Sequence, residues 1–298
     1  MQEIQNFIKP FFISRPEILK SPILISSPHS GNFYPKNFLE ITDLSVRDLR
    51  SSEDSYIDQI FESAINIGSP IIKAIYPRTY VDLNREPFEL DPTMFKNKLP
   101  DHINTKSHRV LSGLGTIAKY AGNQKVIYKE KLDFDNIINR INRIYYPYHY
   151  HLRKLINQTI IQFGFCILLD CHSMPSAGLP LNHKNKKIDI TLGNMNGASC
   201  SDLLLNKINN ILKEKEFDVS FNNPYAGGFI TQNYGIPNNG VHVIQIEINR
   251  EIYLDERNLQ KKSNFHKIQK IFNLTLNELN NFVLTNQYNF LPHKMSAE

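Results

Sequence analysis

Phe165-Cys166-Ile167-Leu168-Leu169-Asp170-Cys171-His172-Ser173-Met174-Pro175 is the stretch whose reading decides the fold. A short apolar run, with Gly164 before it and Pro175 after it, predicts a strand buried on both faces. It delivers Asp170, His172 and Ser173 to the point where the chain leaves the sheet. In open α/β sheets, ligands bind beyond the carboxyl ends of the strands. Taken alone, a capped strand with a surface histidine is the better explanation of these residues. The balance shifts because a second stretch is built the same way. Ile23-Leu24-Ile25-Ser26-Ser27-Pro28-His29-Ser30-Gly31 also runs apolar and then ends in His-Ser. Two strands bringing His-Ser to one sheet edge have the look of two metal ligands.

Working outward, Met1 to Leu19 is a mixed lead-in with Phe7, Phe11 and Phe12 available for packing. Tyr56, Ile57, Ile60, Phe61, Ala64 and Ile65 predict a helix from about Glu53 to Ile67, capped by Ser51 or Ser52 and ended by Gly68. Strands are predicted at Ile71–Tyr76 and Tyr80–Leu83, a βαβ-like order. Glu86 to Ile127 has little periodicity, and its position after Asn84-Arg85 suggests cover over a site. A long helical stretch spans about Asp133 to Phe163, with Pro147 kinking or breaking it. Strands at Ile188–Leu192, Asp218–Phe221 and Val241–Ile248 alternate with helices at Ser201–Lys215 and Leu259–Leu284. Along the Val241 strand, Val243, Gln245, Glu247 and Asn249 share one face. The expected architecture is one α/β domain, a mixed sheet with helices on both sides.

Composition narrows the function classes. The 298 residues, 41% hydrophobic and 21% charged, suffice for a sizeable core. The net charge of +5 is spread along the chain, with no basic block or basic–aromatic interleaving to suggest nucleic acid. Cys166, Cys171 and Cys200 are odd in number and form no C-x-x-C pair, so buried free thiols in a reducing compartment are expected. No apolar stretch spans a bilayer and no signal segment is evident, so a cytoplasmic protein is expected. No feature fixes an oligomeric state.

The polar groups at predicted strand ends are His29, His172, Asn84-Arg85 and Glu247, with Asp54 at a predicted helix start. Histidine and carboxylate suit Zn²⁺, whose catalytic sites commonly have three protein ligands and one open position. Such a metal makes water a usable nucleophile near neutral pH. Glu247 is placed to take a proton as general base. Arg85 or Arg78 suits a two-pronged grip on a substrate carboxylate, which lysine cannot offer. The other histidines, at 102, 108, 149, 151, 183, 242, 266 and 293, read as structural or surface.

The motifs also form an ordered set. Ser27-Pro28-His29-Ser30-Gly31 comes first, then Tyr76-Pro77-Arg78-Thr79-Tyr80-Val81-Asp82-Leu83-Asn84-Arg85 and Asp170-Cys171-His172-Ser173-Met174-Pro175. Gly227-Gly228-Phe229-Ile230-Thr231 and Gln245-Ile246-Glu247-Ile248-Asn249-Arg250 complete it. In this order, over roughly residues 22–256, the chain resembles the N-formylglutamate amidohydrolase family. The resemblance implies a three-layer α/β/α sandwich on a mixed sheet, related to zinc carboxypeptidases. It implies a single domain over residues 1–298 with its core at about 20–286. It implies a zinc-dependent hydrolase, one Zn²⁺ per chain, that cleaves the amide of a small N-acyl amino acid. N-formyl-L-glutamate, giving formate and L-glutamate, is the expected substrate. His29, His172 and the acid of the Glu53-Asp54 pair, taken as Asp54, would hold the metal, and Glu247 would be the base. Arg78 would polarise the scissile carbonyl or hold a second carboxylate. Asn84, Arg85, Arg250 and Thr231 would bind substrate. Two positions depart from the pattern. Asn32 stands three residues after His29, where carboxypeptidases carry their acidic ligand, and Gln232 stands where many relatives carry Arg. The competing classes are a metal-free domain that binds an anionic metabolite and a related N-acyl amino acid deacylase.

Overall fold

Seven strands form one mixed sheet in the computed structural model, which describes residues 8–181 and 185–292. Phe7, His183 and His293 lie outside the described residues. The strands are β1 (Phe11–Ser14), β2 (Ile23–Ser27), β3 (Ile71–Ala74), β4 (Cys166–Met174), β5 (Ile190–Gly193), β6 (Val219–Phe221) and β7 (Val241–Asn249). Their order across the sheet is β1-β3-β2-β4-β7-β5-β6. β3, β2, β4 and β7 run parallel, whereas β1 is antiparallel to β3 and β5 antiparallel to β7. The expected mixed α/β sheet, with strands buried on both faces, is what forms.

The two faces bury separate apolar layers, because successive residues of a strand point to opposite sides. Ile23, Ile25, Ile167, Leu169, Cys171, Ile244, Ile246 and Ile248 pack on one side with the helices Asp202–Glu214 and Phe265–Thr285. Leu24, Cys166, Leu168, Val241 and Val243 pack on the other, with the helix Tyr146–Phe163. This second face changes character along the strands. Leu24, Leu168 and Val243 are followed two residues on by Ser26, Asp170 and Gln245, then by His172 and Glu247 on β4 and β7. The apolar half is covered by the helix; the polar half is the floor of the site.

Several local expectations change. No single helix covers residues 53–67; a short α-turn at Ile57–Ile60 is followed by a 3₁₀ segment at Glu62–Ile67. Tyr56 has a left-handed φ of 67°, which no continuous helix accommodates. Ser51 caps nothing there; its hydroxyl donates to the Asp48 carbonyl at the end of an unpredicted helix, Val46–Arg50. That helix starts in a reciprocal Ser45–Asp48 capping box. Tyr80–Leu83 is a buried turn, not a strand, with the Asp82 N–H donating to the Thr116 carbonyl. The last helix begins at Phe265, after the short Gln260–Lys261 strand.

The long helical stretch forms as Phe134–Arg140 and Tyr146–Phe163, joined by a π-turn at Ile141–Tyr145. Pro147 lacks an N–H and would crowd the carbonyl four residues earlier, and the wider turn accommodates it. The turn also directs Tyr145, whose hydroxyl donates to the Arg85 carbonyl at 2.7 Å. Arg140 is buried in an aromatic box, its guanidinium 4.2 Å from the Tyr80 ring centre and its Nη1 donating to the Tyr128 hydroxyl. It thus pins both ends of the 86–127 stretch. Among the described residues no helix is long and apolar enough to cross a membrane.

His149 ties the helix Tyr146–Phe163 to the site turn. Its Nε2–H donates to the Leu83 carbonyl, and its Nδ1 accepts from the Tyr234 hydroxyl, both at 2.9 Å. Burial lowers its pKa from 6.5 to about 4. Between those values the unfolded chain binds a proton that the folded chain does not, so stability falls as pH drops through this window. Melting temperatures of wild type and His149→Gln between pH 8 and 4 test this. The variant is expected to start about 1–2 kcal/mol less stable from lost hydrogen bonds and to show a shallower decline below pH 6.5. Parallel curves contradict the assignment.

Candidate metal centre and active site

His29 follows the end of β2, in a turn fixed by two backbone contacts. The Asp54 N–H donates to the His29 carbonyl at 3.0 Å, so the chain after Val46–Arg50 passes directly beside it. Gly31 packs so close to the strand-end segment that a Cβ would sit 2.2 Å from the Tyr76 carbonyl oxygen. His172 lies on β4 opposite Glu247 of β7.

Three donor atoms converge. The Nδ1 atoms of His29 and His172 are 3.1 Å apart, and Asp54 Oδ2 lies 3.3 Å from the first and 3.0 Å from the second. The three residues are at most 2% exposed. Each imidazole is held from behind by a carboxylate. His29 Nε2 meets Asp82 Oδ1 at 2.7 Å, and His172 Nε2 meets Asp170 Oδ2 at 2.9 Å. A carboxylate can only accept, so each Nε2 carries the proton and each Nδ1 presents a lone pair. In a tetrahedral site with bonds of ~2.0–2.2 Å, ligand atoms lie about 3.3–3.6 Å apart. The observed triangle is slightly tighter than that face. The donor set, its orientation and its backing carboxylates therefore fit a metal ion.

The field of the site favours positive charge. Desolvation alone would depress the His172 pKa, yet Asp170, Asp54 and Glu247 hold it well above its ordinary value. Burial opposes ionisation of Asp54, but hydrogen bonds and charge from the two imidazoles hold its carboxyl well below the usual range. The other oxygen of Asp54 is fixed by Ser173 Oγ at 3.0 Å and Arg250 Nη2 at 3.3 Å.

Glu247 sits beside this cluster. Its Oε1 accepts from Gln245 Nε2 at 2.7 Å, whereas its Oε2 is buried without a partner. Burial raises its pKa to about 7, with Asp54 and Asp170 adding to the shift and His172 and Arg78 opposing it. These groups open onto a cavity of about 360 Å³, at the small end for ligand sites. Arg109, Leu114, Ala118 and Tyr120 to Gly122 line its outer wall, so the 86–127 stretch does cover the site.

The remaining residues singled out from sequence divide into two groups. Arg78 and Arg85 line the cavity. Arg78 directs Nε and Nη2 at Asp82 Oδ2, at 3.1 and 2.7 Å, and Arg85 donates to the Leu114 and Asn84 carbonyls. Asn84 and Arg250 are committed to the protein, whereas Thr231 does not line the cavity and its buried hydroxyl has no partner. Asn84 Nδ2 donates to Asp170 Oδ2 at 3.2 Å and its Oδ1 accepts the Ile230 N–H at 2.7 Å. Gly228 is required here, because a Cβ would lie 2.3 Å from the Asn84 amide. Arg250 reaches the cavity wall, but its donors go to Ser173, the Ser51 carbonyl and Asp54. Thr231 is fully buried behind the wall. Glu53 turns away, to Tyr34, Arg50 and Ser55, which leaves Asp54 as the acid at the cluster.

Sequence reading gives no site role to Asp82, Gln245 or Arg109, and it places Asp170 in the strand-end cluster without assigning it one. A signal existed for two of them: Asp170 precedes His172 by two on one strand, as Gln245 precedes Glu247, and such pairs share a face.

Comparison with known proteins shows what the chain is similar to. The sequence model of the N-formylglutamate amidohydrolase family matches residues 21–254. An N-formylglutamate deformylase of Pseudomonas putida is 29% identical over 240 residues, 79% of this chain and 82% of that protein. One from Pseudomonas aeruginosa is 26% identical over 242 residues, 79% of this chain and 83% of its own. A crystal structure of an N-formylglutamate amidohydrolase from Ralstonia eutropha superposes with a TM-score of 0.87 at 29% identity, covering 94% of this chain and all of that one. A structure from Agrobacterium tumefaciens, 15% identical with a TM-score of 0.67, shares the fold.

The carboxylates and the guanidinium behind the three donor atoms orient them, and removal of such supports typically weakens metal binding by about 10–100-fold. Asp170→Asn and Arg250→Met are each expected to lower divalent-cation affinity in that range, measured by competition with a chromophoric chelator. Unchanged affinity in a folded variant contradicts the orienting role.

Proposed function

The chain belongs to the N-formylglutamate amidohydrolase family, and from that premise we propose that it hydrolyses N-formyl-L-glutamate to formate and L-glutamate. We read the metal as Zn²⁺, one per chain, held by His29 Nδ1, His172 Nδ1 and Asp54 Oδ2, a donor set of two nitrogens and one oxygen that suits zinc. Residues 20–286 are taken as one catalytic unit. The observation that carries the reading is the convergence of the three donor atoms beside a carboxylate oxygen that has no partner.

When bound, such an ion acts as a Lewis acid that polarises a carbonyl oxygen and acidifies water. The rest falls to the chain's own side chains. Gln245 occupies Glu247 Oε1, so Oε2 is the oxygen left to exchange protons. Glu247 takes a proton as water adds to the formyl carbon, and returns it to the amide nitrogen as the C–N bond breaks. The protons balance: water and amide become formate and an ammonium group, the second proton of the water following the first to the amine nitrogen by way of Glu247. A base with a pKa near 7 suits both directions of transfer. Arg78, held by Asp82 through two of its nitrogens, keeps Nη1 for the formyl oxygen as charge develops there. Arg85 is assigned to the α-carboxylate of the substrate. Asn84 and Arg250 are assigned to positioning, since their polar groups are committed to the protein, and so is Thr231, which is buried outside the cavity lining.

Two substitutions separate metal from base. His172→Ala is expected to lose both bound zinc, by elemental analysis, and formate release. Glu247→Gln should retain about one equivalent of zinc while kcat falls by about 10²–10⁴. Wild-type turnover of N-formylglutamate by Glu247→Gln would remove Glu247 from the reaction.

A further inference from the structure

Four arginines line the cavity, and they are not equivalent. Arg250 is tied to Asp54 and Ser173, Arg78 to Asp82, and Arg85 to two backbone carbonyls. Arg109 differs. Among the described residues its guanidinium makes no hydrogen bond, and its one ionic contact is Glu89 Oε2 at 3.7 Å. Glu89 Oε2 already accepts the Glu86 N–H, so it holds Arg109 weakly. Arg109 also sits on a defined support, the helical turn His108–Leu111, whose N-terminus is capped by Ser107. Its side chain is 30% exposed, open to solvent on the outer wall, with the histidine cluster on the floor of the same cavity.

A planar fork of N–H donors with no hydrogen-bond partner among the described residues, on a side chain that lines a ligand cavity, is suited to recognise a carboxylate bidentately. The surrounding charge points the same way. Arg85 has its pKa lowered to about 10 by burial, opposed by Asp82 and reinforced by repulsion from Arg78 and Arg109. Arg85 and Arg109 thus repel each other across this wall, and an anion bound between them relieves that repulsion.

We propose that Arg109 binds the side-chain carboxylate of the substrate and so makes the cavity selective for N-formyl amino acids that carry a second negative charge. The inference rests on the reading of the site as an N-formylglutamate hydrolase and adds the residue that tells glutamate from its neutral analogues. It also separates the roles of the arginines. Arg85, deep beside Asp82, meets the carboxylate common to all amino acids, whereas Arg109, on the outer wall, meets the one that only an acidic side chain provides.

The test is the ratio of kcat/KM for N-formylglutamate to that for N-formylglutamine, measured on wild type, Arg109→Gln and Arg109→Lys. The two substrates differ only in the charge and hydrogen bonding of the distal group. Wild type is expected to favour the acid. Arg109→Gln should lower the ratio by about 10–100-fold, mainly through a higher KM for N-formylglutamate, because an interaction kept from ground state to transition state acts on binding. Arg109→Lys, which keeps the charge but not the fork, should fall between the two. If the wild type cleaves neither compound, the hydrolase reading itself fails and takes this inference with it. If the wild type cleaves N-formylglutamate but the ratio is unchanged in Arg109→Gln, or both substrates lose equally, the inference is overturned while the hydrolase reading stands.

Discussion

Two imidazole nitrogens facing each other at 3.1 Å, both within 3.3 Å of one carboxylate oxygen, form the constraint on which the rest of the site depends. Asp82 and Asp170 accept hydrogen bonds from the opposite ring nitrogens, so three lone pairs point at a common centre. In a desolvated interior such an arrangement repels itself unless positive charge lies between the three atoms. A proton or a metal ion answers that requirement. Two nitrogens and one oxygen, each backed by its own hydrogen-bond partner, are what a metal ion asks of a protein.

The sheet makes this geometry rigid. β4 and β7 are parallel neighbours in register, which sets Asp170 beside Gln245 and His172 beside Glu247 on one face. The same face, two residues earlier, is apolar and lies under the helix Tyr146–Phe163. One strand face therefore serves as core at one end and as catalytic floor at the other. Buried polar groups there are expensive unless satisfied, and nearly all are. Ser26 and Asn84 donate to Asp170, and Arg78 donates to Asp82. Among the residues that line the cavity, the exceptions are Thr79 Oγ1, Gln245 Oε1 and Glu247 Oε2.

The parts legible in the sequence were those written by short-range pattern. The two strands ending in His-Ser stood out because an apolar run with period two and a polar end needs no tertiary information. Asp54 was found by family resemblance, and the local structure assigned to it was wrong. A helix was expected from residue 53, but the left-handed Tyr56 and the contact of the Asp54 N–H with the His29 carbonyl impose a turn. The turn at Tyr80–Leu83 reads as a strand in the sequence, whereas in the fold the Tyr80 ring lies against the Arg140 guanidinium and Val81 and Leu83 join the core. Asp82 and Arg109 drew no attention because their meaning comes from partners 53 residues away or more, and from a loop without periodicity.

X-ray absorption at the zinc edge, on protein loaded with one equivalent of Zn²⁺, tests the central claim most directly. The account predicts a first shell of only nitrogen and oxygen at ~2.0–2.1 Å, with outer-shell scattering from two imidazoles, lost when His29 and His172 are both replaced by alanine. Failure to bind zinc, or a shell that contains sulfur from any of the three buried cysteines, would contradict it.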